Sequence, residues 1–208
     1  MKEIIFVTGN YNKVEEAREI LANANINIVQ DKSGYIEIQA DDLEDIAKYG
    51  AEYAANKLGK PVIIDDSGLF IESLNGFPGP YSSYVFKTLG NKGILKLMQD
   101  AENRSARFKS VVGFCKPNEK PIVFSGIVKG NIAHEIRGSS GFGYDPIFEV
   151  NGKTFGEMEN KEKNKISHRY RAFKKFMEWL NSIVECRMQN AATPQSEIQN
   201  SKSNEVIF

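Results

Sequence analysis

Apolar residues follow two different spacings along the chain, and their alternation limits the folds that this sequence can adopt. Helical spacing occurs over residues 12–24, over residues 43–58 and from Ser167 onward, whereas residues 3–8 and 62–65 form short apolar runs typical of buried strands. Strands that alternate with helices predict an α/β domain in which the helices cover a sheet.

The middle of the chain adds antiparallel strands. Residues 107–115 and 121–129 predict a long hairpin, and residues 69–74 predict a strand that follows a sharp turn. A Gly-Phe-Pro-Gly-Pro loop at 76–80 and a short helix over 93–101 are expected between them. We therefore expect a mixed α/β (α+β) domain with a substantial antiparallel part, rather than a series of βαβ units.

The composition changes near residue 186. Residues 186–208 are rich in Asn, Gln and Ser and show little apolar periodicity, so they lack the apolar surface that would order them. We expect one domain over residues 1–185 and a polar, disordered tail over residues 186–208.

The charge balance excludes several classes of protein. Lys+Arg and Asp+Glu both number 27, and the resulting zero net charge argues against a nucleic-acid coat or a protein that binds anionic membranes. The 2 cysteines cannot form a disulfide scaffold or a four-cysteine zinc site. No apolar run approaches the ~20 residues of a membrane span, and the N-terminus has no signal pattern. We expect a cytoplasmic protein that binds neither nucleic acid nor a membrane.

Four groups of residues carry chemistry. Thr8, Gly9, Asn10 and Lys13 lie between the first strand and the first helix, where backbone N–H groups and the helix dipole suit a phosphate. Taken alone, this segment is more ordinarily a Gly-Asn turn that only caps the helix.

Asp65 and Asp66 form the second group, at the end of an apolar strand. Neighbouring carboxylates are costly there unless a cation receives them, and Mg²⁺ prefers oxygen ligands. Because successive strand residues point to opposite faces, at most one of the two is expected to enter a site directly. Glu37 is a candidate second ligand, although an exposed strand position would also explain it.

The third and fourth groups suit a planar, anionic ligand. Phe142 and Tyr144 lie among glycines in residues 139–146, and either ring can stack on a base. Residues 161–175 contain seven bases and one acid, whereas residues 31–66 contain nine acids and four bases. Basic residues at the start of a helix oppose its dipole, and an anionic or carbonyl-rich ligand would relieve that conflict.

Taken in order, these motifs resemble the inosine/xanthosine triphosphate pyrophosphatase family, and the resemblance covers nearly all of residues 1–185. It rests on 6–10 (Phe-Val-Thr-Gly-Asn) with Lys13, 65–69 (Asp-Asp-Ser-Gly-Leu), 76–79 (Gly-Phe-Pro-Gly), 141–146 (Gly-Phe-Gly-Tyr-Asp-Pro), and Lys163 with 167–169 (Ser-His-Arg). The whole series is far more specific than any one of its motifs.

The resemblance implies a Mg²⁺-dependent enzyme that hydrolyses non-canonical purine nucleoside triphosphates (ITP, dITP and XTP). Water would attack the α-phosphorus and release the monophosphate and pyrophosphate, which removes these nucleotides from the pool. The resemblance further implies an elongated fold of two lobes around a long mixed β-sheet, an active site in the cleft between the lobes, and a homodimer. Two alternatives stay open: a pyrophosphatase for modified pyrimidine nucleotides, and a non-catalytic module that binds purine nucleotides or RNA through residues 161–175.

The same resemblance implies roles for the candidate residues. Asp66 would be the catalytic residue, as the general base or as the group that positions the water, and would bind Mg²⁺ with Glu37. The substrate would be held at its phosphates by Thr8, Gly9, Asn10 and Lys13, beside the nucleotide by Ser67, and around the purine by Phe142, Gly143, Tyr144, Asp145, Lys163, His168 and Arg169. Donors from His168 and Arg169 to the purine O6 would be left unpaired by a C6 amine, at a cost on the order of several kcal/mol.

One residue that the resemblance leads us to expect is missing. Many bacterial and eukaryotic members carry a phosphate-facing lysine about sixteen residues before the aspartate that matches Asp66, and here that position is near Gly50. Lys48 lies two residues away on a different face of the helix. The sequence therefore leaves this phosphate contact unassigned.

Overall fold

The computed structural model describes residues 2–22 and 26–192, and it places side chains over 3–22 and 26–183. The strands are β1 (Lys2–Val7), β2 (Ile26–Asp31), β3 (Val62–Ile71), β4 (Pro78–Gly79), β5 (Ser105–Cys115), β6 (Ile122–Ile132), β7 (Phe148–Val150) and β8 (Lys153–Thr154). The helices are α1 (Tyr11–Leu21), α2 (Leu43–Leu58), α3 (Ser82–Thr88), α4 (Gly90–Leu97), α5 (Asn160–Ile166) and α6 (His168–Ala192). None of these helices has the length and hydropathy of a membrane span.

One mixed sheet organises the chain. Its order is β2-β1-β3-β5-β6-β7-β8, with β4 paired to β3. Strand β1 runs parallel to β2 and β3, and the remaining pairs are antiparallel. The predicted mixed α/β class is confirmed, and so is the long hairpin, which is formed by β5 and β6.

Strand β3 differs from our expectation because it continues through the Asp-Asp-Ser-Gly segment instead of turning there. Its pairing with β5 is unbroken from Val62 to Ile71. Gly68 makes this possible, because the Gly79 carbonyl of β4 lies where a side chain at Gly68 would begin. Asp65 and Asp66 are therefore in the middle of a long strand, and their side chains point to opposite faces of the sheet.

Other boundaries also differ from the expected ones. The sequence indicated neither β2 nor α3, and α4 spans Gly90–Leu97 rather than 93–101. Helix α6 continues to Ala192, so residues 186–192, expected in a disordered tail, are helical because they extend an amphipathic helix that is already packed. The rest of the expected tail, residues 193–208, lies outside the described residues, as do residues 23–25.

Within the described residues, three apolar clusters surround the sheet. Helices α1 and α6 cover one face, where Phe6, Ile63 and Phe173 are fully buried. Helix α2 covers the opposite face, over Ile64. The third cluster lies around Phe108, toward the far ends of β3, β5 and β6. The candidate site opens where these clusters meet.

Candidate active site

A cavity of about 780 Å³ lies between the apolar clusters. Its walls come from the β1–α1 loop, the middle of β3, the segment before α2, the start of α3, the loop before β7 and the α5–α6 junction. Every residue predicted for the site lines this cavity: Thr8, Gly9, Asn10, Lys13, Glu37, Asp66, Ser67, Phe142, Gly143, Tyr144, Asp145, Lys163, His168 and Arg169. The fold thus brings together residues that are far apart in the sequence.

The β1–α1 loop forms an anion-binding end of the cavity. Asn10 Oδ1 caps α1 by accepting hydrogen bonds from the backbone N–H groups of Asn12 and Lys13, at 3.0 and 3.4 Å. Thr8 Oγ1 in turn accepts a hydrogen bond from Asn10 N at 3.1 Å. Both side chains use their oxygen atoms as acceptors within the loop, so their hydroxyl and amide protons are available to an anion.

Lys13 extends this anion-binding end toward β3. Its Nζ donates to the backbone oxygen of Asp65 at 2.7 Å and lies 3.3 Å from Asp65 Oδ2. This fixes the ammonium beside the middle of the strand, where Asp66 follows. The loop and Lys13 together place positive charge and N–H donors along one side of the cavity.

Buried ion pairs form the wall behind the cavity. Arg169 Nε donates to Asp65 Oδ2 at 2.9 Å, and Arg169 Nη1 pairs with Glu16 of α1. Lys163 Nζ lies 2.7 Å from Glu16 Oε1 and 2.8 Å from Asp145 Oδ2. Carboxylates of the protein itself therefore pair with the bases before and at the start of α6, a role that we had expected a ligand to fill.

The pKa values of the wall carboxylates follow from these pairs. Burial by itself would raise the pKa of Glu16, but Arg169 and Lys163 lower it to about 2. Burial likewise opposes the charge of Asp65, yet Arg169 and Lys13 hold its pKa well below the usual range, and Ser110 Oγ donates a further hydrogen bond. Both carboxylates stay ionised and are bound to the wall of the cavity.

Asp66 has a different environment. Its Oδ1 accepts a hydrogen bond from Ser67 N at 2.9 Å. Burial raises the pKa of Asp66 to about 6; Lys13 opposes this rise, and the nearby charges of Asp65 and Glu37 add to it. Asp66 is thus a carboxylate with an incompletely compensated charge, facing the cavity.

The carboxylates of Asp66 and Glu37 fit a divalent cation shared with a substrate. Over residues 2–22 and 26–192, no group of three or more His, Cys, Asp or Glu side chains is placed to hold an ion. Mg²⁺ is commonly held by one or two carboxylates, with water and substrate phosphates as its other ligands. A cation here would also relieve the repulsion between the two carboxylates.

The aromatic end of the cavity is built from Phe142 and His168. The loop that carries Phe142 is held by Asp145 Oδ2, which accepts a hydrogen bond from Phe142 N at 2.7 Å. The His168 ring stacks on Phe108 with centroids 4.6 Å apart, and burial lowers the pKa of His168 to about 3, so its imidazole is neutral. Its Nδ1 is buried and, within the described residues, has no hydrogen-bond partner.

Tyr144 is not the exposed stacking ring that the sequence allowed. It is buried, it packs edge-on against Phe86, and its hydroxyl donates to the backbone oxygen of Ser82 at 3.0 Å. The core holds this ring because a backbone acceptor satisfies its hydroxyl. Phe142, which is half-buried, is the aromatic face that remains for a planar ligand.

Protein acceptors hold the Arg169 guanidinium, so it is not a free side chain that could turn toward a purine base. Besides its two carboxylate partners, its Nη2 donates to Ser67 Oγ at 3.2 Å. Each of the three guanidinium nitrogens therefore has a protein acceptor, although two of the five N–H groups are still available to a ligand. The contact between Arg169 and a purine stays a prediction.

Two residues of this site were missed by reasoning from the sequence. Glu16 follows Glu15 on a helix and looks like a solvent-exposed acid, yet it is buried between Lys163 and Arg169. Tyr35 lines the cavity in a segment without helix or strand, so no periodicity indicates it. Burial and the charges of Asp66, Glu37 and Asp65 raise the pKa of its hydroxyl above the ordinary value.

Comparisons with known proteins agree with this geometry. A family model described as the Ham1 family matches residues 4–179. A dITP/XTP pyrophosphatase of Methanosarcina mazei is 58% identical over 179 residues, which cover 86% of this chain and 97% of the relative. A protein of the same name from Thermococcus kodakarensis is 51% identical over 179 residues, or 85% and 96% of the two chains.

Solved structures give the same result. The structure of a HAM1 protein from Coxiella burnetii superposes with a TM-score of 0.79 at 33% identity, and the match covers 88% of this chain and 100% of that one. The Ham1 protein of Staphylococcus aureus superposes with a TM-score of 0.76 at 32% identity, covering 87% and 99%. The fold and the sequence thus lead to one family.

Proposed function

Since the chain belongs to the Ham1 family, we propose that it hydrolyses non-canonical purine nucleoside triphosphates (dITP, XTP and ITP) to the monophosphate and pyrophosphate. One observation carries this proposal: a single cavity contains an anion-binding helix start, a pair of carboxylates suited to a cation, and an aromatic pocket with a neutral histidine. The relatives named dITP/XTP pyrophosphatase contribute the choice of substrate.

The triphosphate binds at the β1–α1 loop. The Thr8 hydroxyl and the side-chain amide of Asn10, whose oxygen atoms are engaged within the loop, donate to phosphate oxygens. Lys13 adds a positive charge that β3 holds in place, next to the positive end of the α1 dipole. These contacts orient the α-phosphorus next to Asp66. Positioning of this kind accounts for a large part of catalysis in phosphoryl transfer.

Asp66 orients the attacking water. Because Ser67 N holds Oδ1, Oδ2 is the atom that faces the water and can take its proton. We propose that Glu37 and Asp66 hold Mg²⁺, which when bound neutralises charge that develops on the phosphate oxygens. Asp65 takes no part in this step, because Arg169 and Lys13 already engage it.

The purine lies against Phe142. His168 and the remaining N–H groups of Arg169 donate to O6 of a 6-oxo purine. An adenine amine at that position would leave the donors without acceptors, which disfavours ATP.

We also propose that the enzyme is a cytoplasmic homodimer. Aromatic side chains at the start of α3 and in the loop before it are exposed, and Tyr84 is 69% exposed. Exposed aromatic side chains are enriched at protein interfaces. Light scattering coupled to gel filtration measures the mass directly, and a monomer at micromolar concentration would contradict this part of the proposal.

A panel of nucleotides tests the activity. dITP, ITP, XTP, ATP, dUTP and modified pyrimidine triphosphates are each incubated with Mg²⁺, and pyrophosphate and orthophosphate are scored separately. We expect pyrophosphate from the 6-oxo purines, and its loss with EDTA. A preference for pyrimidines would instead support the first alternative, and no hydrolysis of any nucleotide would support a binding module.

A further inference from the structure

Helix α2 is shaped to receive the ring of Tyr35. A Cβ atom at Gly50 would lie 2.6 Å from Tyr35 Cε2 and 2.8 Å from Ile64 Cδ1, so the helix can present only glycine there. The Tyr35 ring also packs against the apolar cluster beneath α2. This contact fixes the residue within a segment that has no helix or strand of its own.

Tyr35 lines the cavity, beside carboxylates. Asp66, Glu37 and Asp65 are the charges that act on it. In the part of the chain that the structure describes, these carboxylates act on the hydroxyl through their charge, and none of them accepts a hydrogen bond from it. A fixed phenol that lines a cavity and is not bonded to these carboxylates is a donor available to a ligand.

The position of Tyr35 indicates which part of the ligand it meets. The aromatic pocket of Phe142 and His168 is on the side of the cavity formed by the cluster around Phe108. Tyr35 packs on the cluster beneath α2, on the face of β3 to which Asp66 points. A triphosphate with its purine against Phe142 and its α-phosphorus at Asp66 would place its remaining phosphates between the β1–α1 loop and Tyr35, which line the same cavity.

We propose that the Tyr35 hydroxyl donates a hydrogen bond to the phosphates that leave as pyrophosphate. This inference rests on the proposed function and assigns a further substrate-binding residue to it. A phenol suits this place because it donates without adding charge. A cation at the same position would pair with Asp66 and Glu37 and compete with the metal ion that they are suited to hold.

The test uses Tyr35→Phe, which keeps the ring against Gly50 and removes only the hydroxyl. Tyr49→Phe is the matched control, because Tyr49 is an exposed tyrosine of α2 that lies outside the cavity. Isothermal titration calorimetry measures the affinity of each protein for inorganic pyrophosphate and for IMP, over a series of Mg²⁺ concentrations. Thermal unfolding establishes that each variant is folded.

We expect Tyr35→Phe to weaken pyrophosphate binding about tenfold or more, as for the loss of a hydrogen bond to a charged group. IMP affinity and Tm should not change, and Tyr49→Phe should match the wild type. Equal pyrophosphate affinity in Tyr35→Phe and wild type would overturn the proposal, as would an equal loss for IMP. A deficit that disappears at saturating Mg²⁺ would also overturn it, because Tyr35 would then act on the metal ligands.

These results are separable from a failure of the proposed function. If the wild-type protein releases no pyrophosphate from dITP or XTP, the proposed function is wrong, whatever the binding data show. If the wild type is active and Tyr35→Phe binds pyrophosphate normally, only the role of Tyr35 is wrong.

Discussion

Asp65 and Asp66 are adjacent residues of one strand with opposite environments. Asp65 points toward α1 and α6, where Arg169 and Lys13 pair with it and keep its pKa low. Asp66 points toward α2, where burial and other carboxylates raise its pKa to about 6. The alternation of side chains along β3 thus converts two identical residues into a structural anchor and a reactive group.

Replacement of Asp66 by Asn tests the reactive half of this comparison and has the largest expected effect. The turnover number should fall roughly 10²–10⁴-fold, the usual range for loss of a group that handles the proton of the nucleophile. The folded state should be at least as stable, since an incompletely compensated buried charge is removed. Steady-state kinetics with dITP and thermal unfolding measure the two effects, and a variant with wild-type turnover would refute the role of Asp66.

Replacement of Arg169 by Met tests the structural half. It leaves Asp65 and Glu16 as buried carboxylates without their main partner, so we expect a loss of about 3–5 kcal/mol in the free energy of unfolding. Urea denaturation measures this loss. Arg171→Met is a matched control, because Arg171 is a more exposed arginine of the same helix. Equal stability of both variants would show that the buried pairs are not the anchor.

Acid should weaken the same anchor. The folded-state pKa of Glu16 is about 2, below its ordinary value of 4.5, so its stabilising contribution is present above pH 4.5 and is lost as the pH falls toward 2. That shift corresponds to roughly 3 kcal/mol. Urea denaturation of the wild type and of Glu16→Gln between pH 3 and pH 6 checks this, with the wild type losing stability more steeply. Parallel curves would contradict the assignment.

Gly50→Ala tests the packing of α2 on the face of β3 to which Asp66 points, and it has the smallest expected effect. The new methyl group would overlap the Tyr35 ring, so we expect a loss of about 1–3 kcal/mol in the free energy of unfolding, typical of overpacking. Displacement of Tyr35 should also raise the KM for dITP. Gly59, at the end of the same helix, has open space around it, but its positive φ of 64° makes an alanine there strained. Lys48→Ala, on an exposed face of the helix, is therefore the better control. Unchanged stability and KM would show that the ring contact is unimportant.

The motifs found in the sequence include most residues of the site, because they contain the groups that phosphate and metal chemistry requires. The candidate site residues within them, from Thr8 to Arg169, all line one cavity. The mixed α/β class also followed from periodicity alone. The sequence did not indicate that Asp65 is paired while Asp66 is left without a full partner. That difference depends on Arg169, which tertiary packing brings from α6 to Asp65.

The remaining differences have similar causes. The sharp turn expected before residue 69 was wrong, because Gly68 admits the backbone of β4 within a continuous strand. Glu16 was missed because an acid on a helix usually faces water. Tyr35 and its contact with Gly50 depend on two segments that meet only in the folded chain.

Hydrolysis of dITP in ¹⁸O-labelled water tests the central claim most directly. Attack of water on the α-phosphorus, oriented by Asp66, predicts that mass spectrometry finds the label in dIMP and none in pyrophosphate, with both products lost in Asp66→Asn. Label in pyrophosphate or orthophosphate would place the attack on another phosphorus and would contradict the account.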